Sequence, residues 1–212
     1  MSLQVTTFVN GKWSQNCYIV TNGDGDAFIV DPGSQAEDII ALVDENGWRV
    51  HGIINSHGHY DHVGAVAELK DRYQVPFYLH GADEPLLKRA NLYRMLFESG
   101  SVLRIPSVTQ NIAGLSTNFN VGPFTLTWIS TPGHTEGSVC LLIENFLLSG
   151  DTLMHGTVGR TDLPGGNRQK LLASVRKLMF LSGDVVVCGG HGPRTTIQAE
   201  LSPGARVWNL LQ

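Results

Sequence analysis

Short apolar runs alternate with stretches of helical period along the chain. Val5–Val9, Cys17–Val20 and Ala27–Val30 are too short for helices and read as strands of a meander. Turn signals at Asn10-Gly11 and Asn22-Gly23-Asp24-Gly25 separate them. Ser34 stands three residues before Glu37, the capping-box spacing, and Ile39, Ile40 and Val43 follow on one face until Gly47. Gly52–Asn55 reads as a buried strand, Val63–Tyr73 as a helix and Pro76–Leu79 as a strand. Pro85 sits at a first helical position, ahead of a stripe of Leu86, Ala90, Tyr93 and Phe97. The second half repeats the theme. Strands are expected at Phe124–Ile129, Val139–Ile143, Phe146–Leu148 and Val185–Cys188. A helix is expected over Gln169–Phe180 with Leu171, Leu172, Val175 and Leu178 inward, and the chain ends in a helix-like tail.

The two halves, about 1–110 and 111–212, match in size and element order, and no Pro/Ser/Gly linker divides them. This predicts one α/β (α+β) domain over 1–212, with two sheets covered by helices in four αββα layers, although the pattern alone also admits a doubly wound sheet. Composition narrows the function classes. The net charge of −4 offers no basic excess for phosphates, so nucleic acid is not an expected partner. The longest apolar runs, about five residues, fall far short of a membrane span, and the N-terminus shows no secretory pattern. Cys17, Cys140 and Cys188 are an odd number without CxxC spacing, and read as core hydrophobes of a protein kept reduced. A cytoplasmic location and a small-molecule substrate are expected, and oligomeric state has no signature here.

The decisive segment is Ser56-His57-Gly58-His59-Tyr60-Asp61-His62. It follows an apolar strand and precedes a helix, so a rigid strand end can converge its side chains. In a near-extended loop His57, His59 and Asp61 alternate to one side, and His62 falls where the chain turns into the helix. Three more strand ends carry one candidate ligand each in a glycine-rich turn: His134 in Thr131-Pro132-Gly133-His134-Thr135, Asp151 in Ser149-Gly150-Asp151-Thr152, and His191 in Gly189-Gly190-His191-Gly192-Pro193. Singly each is an ordinary turn residue. In this order they form a set.

That set resembles the metallo-β-lactamase superfamily, over nearly the whole chain from Asn16 to His191. The resemblance implies that His57, His59 and His134 bind one metal, that Asp61, His62 and His191 bind a second, and that Asp151 bridges both. Imidazole and carboxylate suit two divalent ions, zinc first, with iron or manganese also compatible. Two metals would share a bridging hydroxide that attacks a carbonyl, and Asp61 would orient or shuttle the proton. A bridging aspartate argues against the β-lactamases of the superfamily, which generally lack one. The length leaves no room for the inserted domain of RNA-processing members, and His59 stands where flavodiiron members carry glutamate. Gly159-Arg160-Thr161-Asp162-Leu163-Pro164-Gly165-Gly166, with Asn16-Cys17-Tyr18 and Val30-Asp31-Pro32-Gly33, resembles glyoxalase II-like hydroxyacylglutathione hydrolases. Only 21 residues follow His191, too few for the helical extension that holds glutathione, so the likeness is to the short single-domain bacterial branch. The expected activity is thioester hydrolysis, of S-D-lactoylglutathione or a related compound. The alternatives are a mononuclear iron persulfide dioxygenase, which shares the Gly-Arg-Thr-Asp stretch, a lactone or phosphodiester hydrolase, and a metal-stabilised binding module.

Around the ligands, Arg160 and Asp162 are expected to form a buried charge pair fixing the loop after Asp151, and Asp31 to hold a ligand histidine by its other ring nitrogen. Trp13, Met95 and Phe97 are candidates for a pocket wall, with ordinary packing the favoured reading. His155, four residues beyond Asp151, is a candidate substrate contact, but a hydrogen-bonded structural role is favoured for it and for His51 and His80.

Overall fold

In the computed structural model, which describes residues 3–98, 100 and 102–212, most inner strands are apolar on both faces and must be covered twice. The first sheet runs in the order β1 (Gln4–Asn10), β2 (Gln15–Thr21), β3 (Asp26–Val30), β4 (Arg49–Ile54), β5 (Phe77–Leu79) and β6 (Gln110–Asn111). The second runs from β12 (Thr195–Thr196) through β11 (Val186–Gly189), β10 (Phe146–Gly150), β9 (Val139–Ile143) and β8 (Phe124–Ser130) to β7 (Asn118–Val121). Each sheet thus takes its strands from one half of the chain. Meander strands pair antiparallel, whereas β3–β4–β5–β6 and β10–β11 pair parallel.

Period-two alternation sorts the side chains into layers. From β2, Cys17 and Ile19 face one core, whereas Tyr18 and Val20 face another. The first core lies under α1 (Ala36–Glu45), α3 (Val66–Tyr73) and α5 (Ala90–Phe97), which contribute Ile39, Val43, Leu69 and Tyr93. The second joins the two sheets, with Phe28, Ile54 and Tyr78 against Phe124, Leu126 and Leu141. Phe28 and Phe124 meet edge to face at 5.0 Å. The third lies under α6 (Arg168–Leu178), α7 (Ile197–Leu201) and α8 (Arg206–Leu210), with Leu171, Val175, Leu178 and Val207. The layers are therefore αββα, as the sequence predicts. The three cysteines are buried and free. Among the described residues no helix is long and apolar enough to cross a membrane.

Where the helices differ from expectation, the site is the cause. α1 starts at Ala36 after Gln35 in a left-handed conformation, and Ser34 does not cap it. Asp31–Gln35 is instead folded against the His57–Ala65 segment: Ala65 N–H donates to the carbonyl of Pro32 at 3.0 Å, and Gly33 lies against the Asp61 carbonyl. The helix expected at Val63–Tyr73 is split into α2 (Tyr60–Val63) and α3, because Gly64 lies against the Gly33 carbonyl. The Pro85 helix divides at Arg89 into α4 (Glu84–Lys88) and α5.

Candidate metal centre

Four strands of the two sheets end at one edge. β4 leads into the His57–His62 segment, β8 into His134, β10 into Asp151 and β11 into His191. All seven predicted ligands converge there. His57, His59 and His134 form one group, with ligand atoms within 4.8 Å of one another, and Asp61, His62 and His191 form a second. His59 Nδ1 and His134 Nε2 stand 2.8 Å apart, and the His57 and His134 ring centroids 4.8 Å apart. In the second group His191 Nε2 lies 3.6 Å and His62 Nε2 3.8 Å from Asp61 Oδ2. Asp61 thus sides with His62 rather than with His57 and His59, because α2 begins at Tyr60 and ends the extended alternation.

Asp151 sits between the groups. Its Oδ1 is 3.6 Å from His62 Nε2, and its Oδ2 is 3.5 Å from His134 Nε2 and 3.7 Å from His191 Nε2. Gly190 permits this approach, since a Cβ there would stand 2.1 Å from Asp151 Oδ1. Of the buried side-chain polar atoms without a hydrogen-bond partner, two belong to the predicted ligands: His57 Nε2 and Asp151 Oδ1. Burying an unpaired nitrogen lone pair and a carboxylate oxygen is costly, and bound cations would remove the cost. The donor set therefore fits metal ions.

The nitrogens facing away from the centre are held. Asp31 Oδ1 accepts from Ser56 N–H at 2.7 Å, and its Oδ2 accepts from Ser56 Oγ at 2.6 Å and lies 3.2 Å from His62 Nδ1. Ser56 Oγ lies 2.9 Å from His57 Nδ1, so one carboxylate orients two histidines. His134 Nδ1 meets the Arg160 carbonyl at 2.8 Å, and His191 Nδ1 meets the Trp13 carbonyl at 3.0 Å. Asp31, His57 and His62 also cluster closely enough to suggest a third ion. Asp31 is committed to these hydrogen bonds, so that group orients ligands instead.

The electrostatics favour cations. Burial and the neighbouring histidines hold His57 well below its ordinary pKa, and burial with His134 takes His59 down to about 3, so both present lone pairs. Burial alone would lower His62, but Asp61, Asp31 and Asp151 pull it up to about 9. Burial would raise Asp151, yet His62, His134 and His191 hold it below the ordinary carboxylate range.

Above the centre opens a cavity of about 290 Å³. Trp13, Tyr60, Tyr93, Phe97 and Leu163 form an apolar wall, and Arg160 stands at the rim with its guanidinium 5.9 Å from the Phe97 ring. Trp13 Nε1–H donates to Tyr60 Oη at 2.6 Å. Trp13 and Phe97 thus line the cavity rather than only packing, whereas Met95 is exposed on the far side of α5. His155 is exposed and absent from the lining. His51 pairs with Asp26, and His80 accepts from Ala82 N–H, as structural histidines do.

One expectation is corrected. Arg160 and Asp162 pair through two bonds of 2.8 and 2.7 Å, but on the surface, with side chains 54% and 67% exposed. What fixes the loop against His134 is the backbone carbonyl of Arg160. Sequence reasoning also missed Ser56, Tyr60, Tyr93, Leu163 and Asp83. Ser56 was legible as the neighbour of His57. Asp83, ahead of Pro85, looks like any residue at a helix start.

The fold and the site define a class: an αββα sandwich with paired His/Asp metal-binding groups at one sheet edge. Comparison with known proteins places the chain within it. The profile of the metallo-β-lactamase superfamily matches residues 10–191, and the chain belongs to that superfamily as a metallo-hydrolase. It is similar to the hydroxyacylglutathione hydrolase GloC of Haemophilus influenzae, at 31% identity over 89% of this chain and 90% of that one. Among solved structures it is similar to the BLEG-1 B3 metallo-β-lactamase, with a TM-score of 0.90 and 32% identity over 96% of this chain and 99% of that one. It is also similar to TTHA1623 in a di-iron-bound form, with a TM-score of 0.83 and 34% identity over 93% and 98%.

Proposed function

We propose that the chain hydrolyses small thioesters of the S-D-lactoylglutathione kind, with two divalent metals held by the two ligand groups. The observation that carries this reading is Asp151, which presents one oxygen to His62 and the other to His134 and His191. A carboxylate so placed would be shared by ions held in the two groups. His57, His59 and His134 would hold one, and Asp61, His62 and His191 the other. Bound metals would supply Lewis acidity and an activated water at neutral pH.

The chain's own groups do the rest. Asp31, through His62 and through Ser56 to His57, fixes which ring nitrogen faces the centre. Asp61 lines the cavity, and its carboxylate is the group placed to accept and pass on the proton of an attacking water. Trp13, Tyr93 and Phe97 form a wall that takes the apolar part of an acyl-thiol and excludes bulk water. Arg160 at the mouth is paired with Asp162 on the surface, and an acidic tail would compete for that guanidinium. Zinc is the expected metal. The same donors suit iron, and the similar TTHA1623 structure is a di-iron-bound form.

A second reading is β-lactam hydrolysis, favoured by the likeness to the BLEG-1 B3 metallo-β-lactamase. The two are separated by one experiment. Zinc-loaded and chelator-treated protein are assayed for loss of the S-D-lactoylglutathione thioester and for opening of a chromogenic cephalosporin. Metal-dependent loss of the thioester, with at least a hundredfold lower kcat/KM on the cephalosporin, supports the thioesterase. The reverse order assigns the lactamase.

A further inference from the structure

Asp83 belongs neither to the ligand set nor to the cavity above it. It closes a 3-10 turn, Gly81–Asp83, just ahead of α4, yet its side chain does not cap that helix. The residue is 1% exposed. Its carboxylate points instead between two loops. Oδ2 accepts from Gly58 N–H at 2.9 Å and from Thr135 Oγ at 2.7 Å, and Oδ1 accepts from Gly137 N–H at 2.7 Å. Gly58 lies between His57 and His59, and Thr135 follows His134. Both loops that carry the first ligand group are therefore tied to one buried carboxylate.

We infer that Asp83 is a positioning residue that sets the distance between the His57/His59 loop and the His134 loop, and so selects the affinity of the first metal group. This rests on the metal-binding reading above. A buried carboxylate must keep its donors, because an unsatisfied one is costly. If the loops drift apart, at least one of the three bonds is lost. The loops are thereby held together at the spacing in which His59 Nδ1 and His134 Nε2 face one another at 2.8 Å. The tie is close on both sides: a Cβ at Gly137 would stand 2.7 Å from the Asp83 carboxyl, and one at Gly58 3.1 Å from Asp83 Cβ. The second group depends on other contacts. Asp31 holds His62, the Trp13 carbonyl holds His191, and Asn16 ties the His191 turn through the Gly189 and Gly192 carbonyls. Asp83 touches none of these, so its loss should act on one metal and spare the other.

The test is site-resolved metal affinity, measured on metal-free protein by zinc competition with a chromophoric chelator. His191→Ala isolates the first group, and His59→Ala isolates the second. Asp83→Asn keeps the shape but turns an amide N–H towards one glycine N–H. In the His191→Ala background it should weaken zinc binding about 10–100-fold, and in the His59→Ala background change it by less than about twofold. Thr135→Val removes the hydroxyl's bond to Asp83, and with it the one to Ser138 Oγ, leaves both glycine bonds, and should cost roughly three- to tenfold in the first background only. It carries the test if Asp83→Asn does not fold. Unchanged affinity in the His191→Ala background, or equal loss in both backgrounds, overturns the assignment. Parent protein that takes up no zinc overturns the metal reading and this inference with it. Parent protein that takes up two, with the variants unaffected, overturns this inference alone.

Discussion

Replacing Gly33 by alanine tests how tightly the fold holds the ligand segment. A Cβ at Gly33 would stand 1.7 Å from the Asp61 carbonyl oxygen and 2.8 Å from its carbon. Ordinary contact begins near 3.4 Å, so one backbone must retreat by about 1.7 Å. Neither is free to do so. The Gly33 side is held by Asp31, which bonds Ser56 twice, and by Pro32, whose carbonyl accepts from Ala65 N–H. The Asp61 side lies in α2, where His62 N–H donates to the His59 carbonyl. Overpacking a closed contact costs about 1–3 kcal/mol. At roughly 2–4 °C per kcal/mol for a chain of this size, the metal-free protein should melt about 2–12 °C lower. The displaced Asp61 and His62 should lose metal more steeply, because ligand distances tolerate only about 0.2 Å. Zinc binding at the second group should fall at least tenfold, and turnover about a hundredfold for each ångström of misplacement. Thermal melts and zinc titration read these effects. Gly114→Ala is the control, since a Cβ there meets nothing within 4 Å. If Gly33→Ala melts with the parent and binds the second ion with parental affinity, the packing argument is wrong.

Asp31→Asn should weaken zinc binding about 10–100-fold, because an amide facing His62 Nδ1 favours the tautomer that puts the proton on the metal-facing Nε2; competition titration reads it, and parental affinity would contradict it. His62 is raised to about 9 without metal, so below that pH an incoming ion must displace a proton. Second-group affinity should therefore climb about tenfold per pH unit towards pH 9 and then level off, with proton release visible by calorimetry in buffers of different ionisation enthalpy. Arg160→Ala should leave the melting temperature unchanged, since its pair with Asp162 is exposed and the carbonyl that holds His134 remains. It should raise KM for an acidic thioester more than it lowers kcat, which steady-state kinetics would show.

Much of the fold is legible in the chain because the inner strands are apolar on both faces. Cys17–Val20 and Ala27–Val30 announce themselves as runs, and their alternation sorts into cores once two sheets are assumed. The edge strands β6 and β12 are not legible. Gln110–Asn111 and Thr195–Thr196 contain no apolar residue, and only their neighbours make them strands. Helix starts near the site are misread for a related reason. Ser34 has the spacing of a cap, but the turn before it is committed to the ligand loop.

The ligand types were set by the sequence, since metal donors are side chains and their order along the chain can be read directly. The partition came only through the family resemblance, because spacing alone put Asp61 on the side of His57 and His59. That Asp61 joins His62, and that Asp151 faces both groups, depends on where α2 begins and on how closely Gly190 lets a neighbouring turn approach. The groups that aim the ligands were still less visible. The carbonyls of Trp13 and Arg160 would be present whatever residues stood there, and the Asp83 carboxylate reaches loops 25 and 52 residues away. Backbone atoms carry no side-chain signature, and a carboxylate's partners are fixed only when packing brings distant loops to it. Composition and spacing therefore determined what the site is made of, and tertiary structure alone decided which atom faces which.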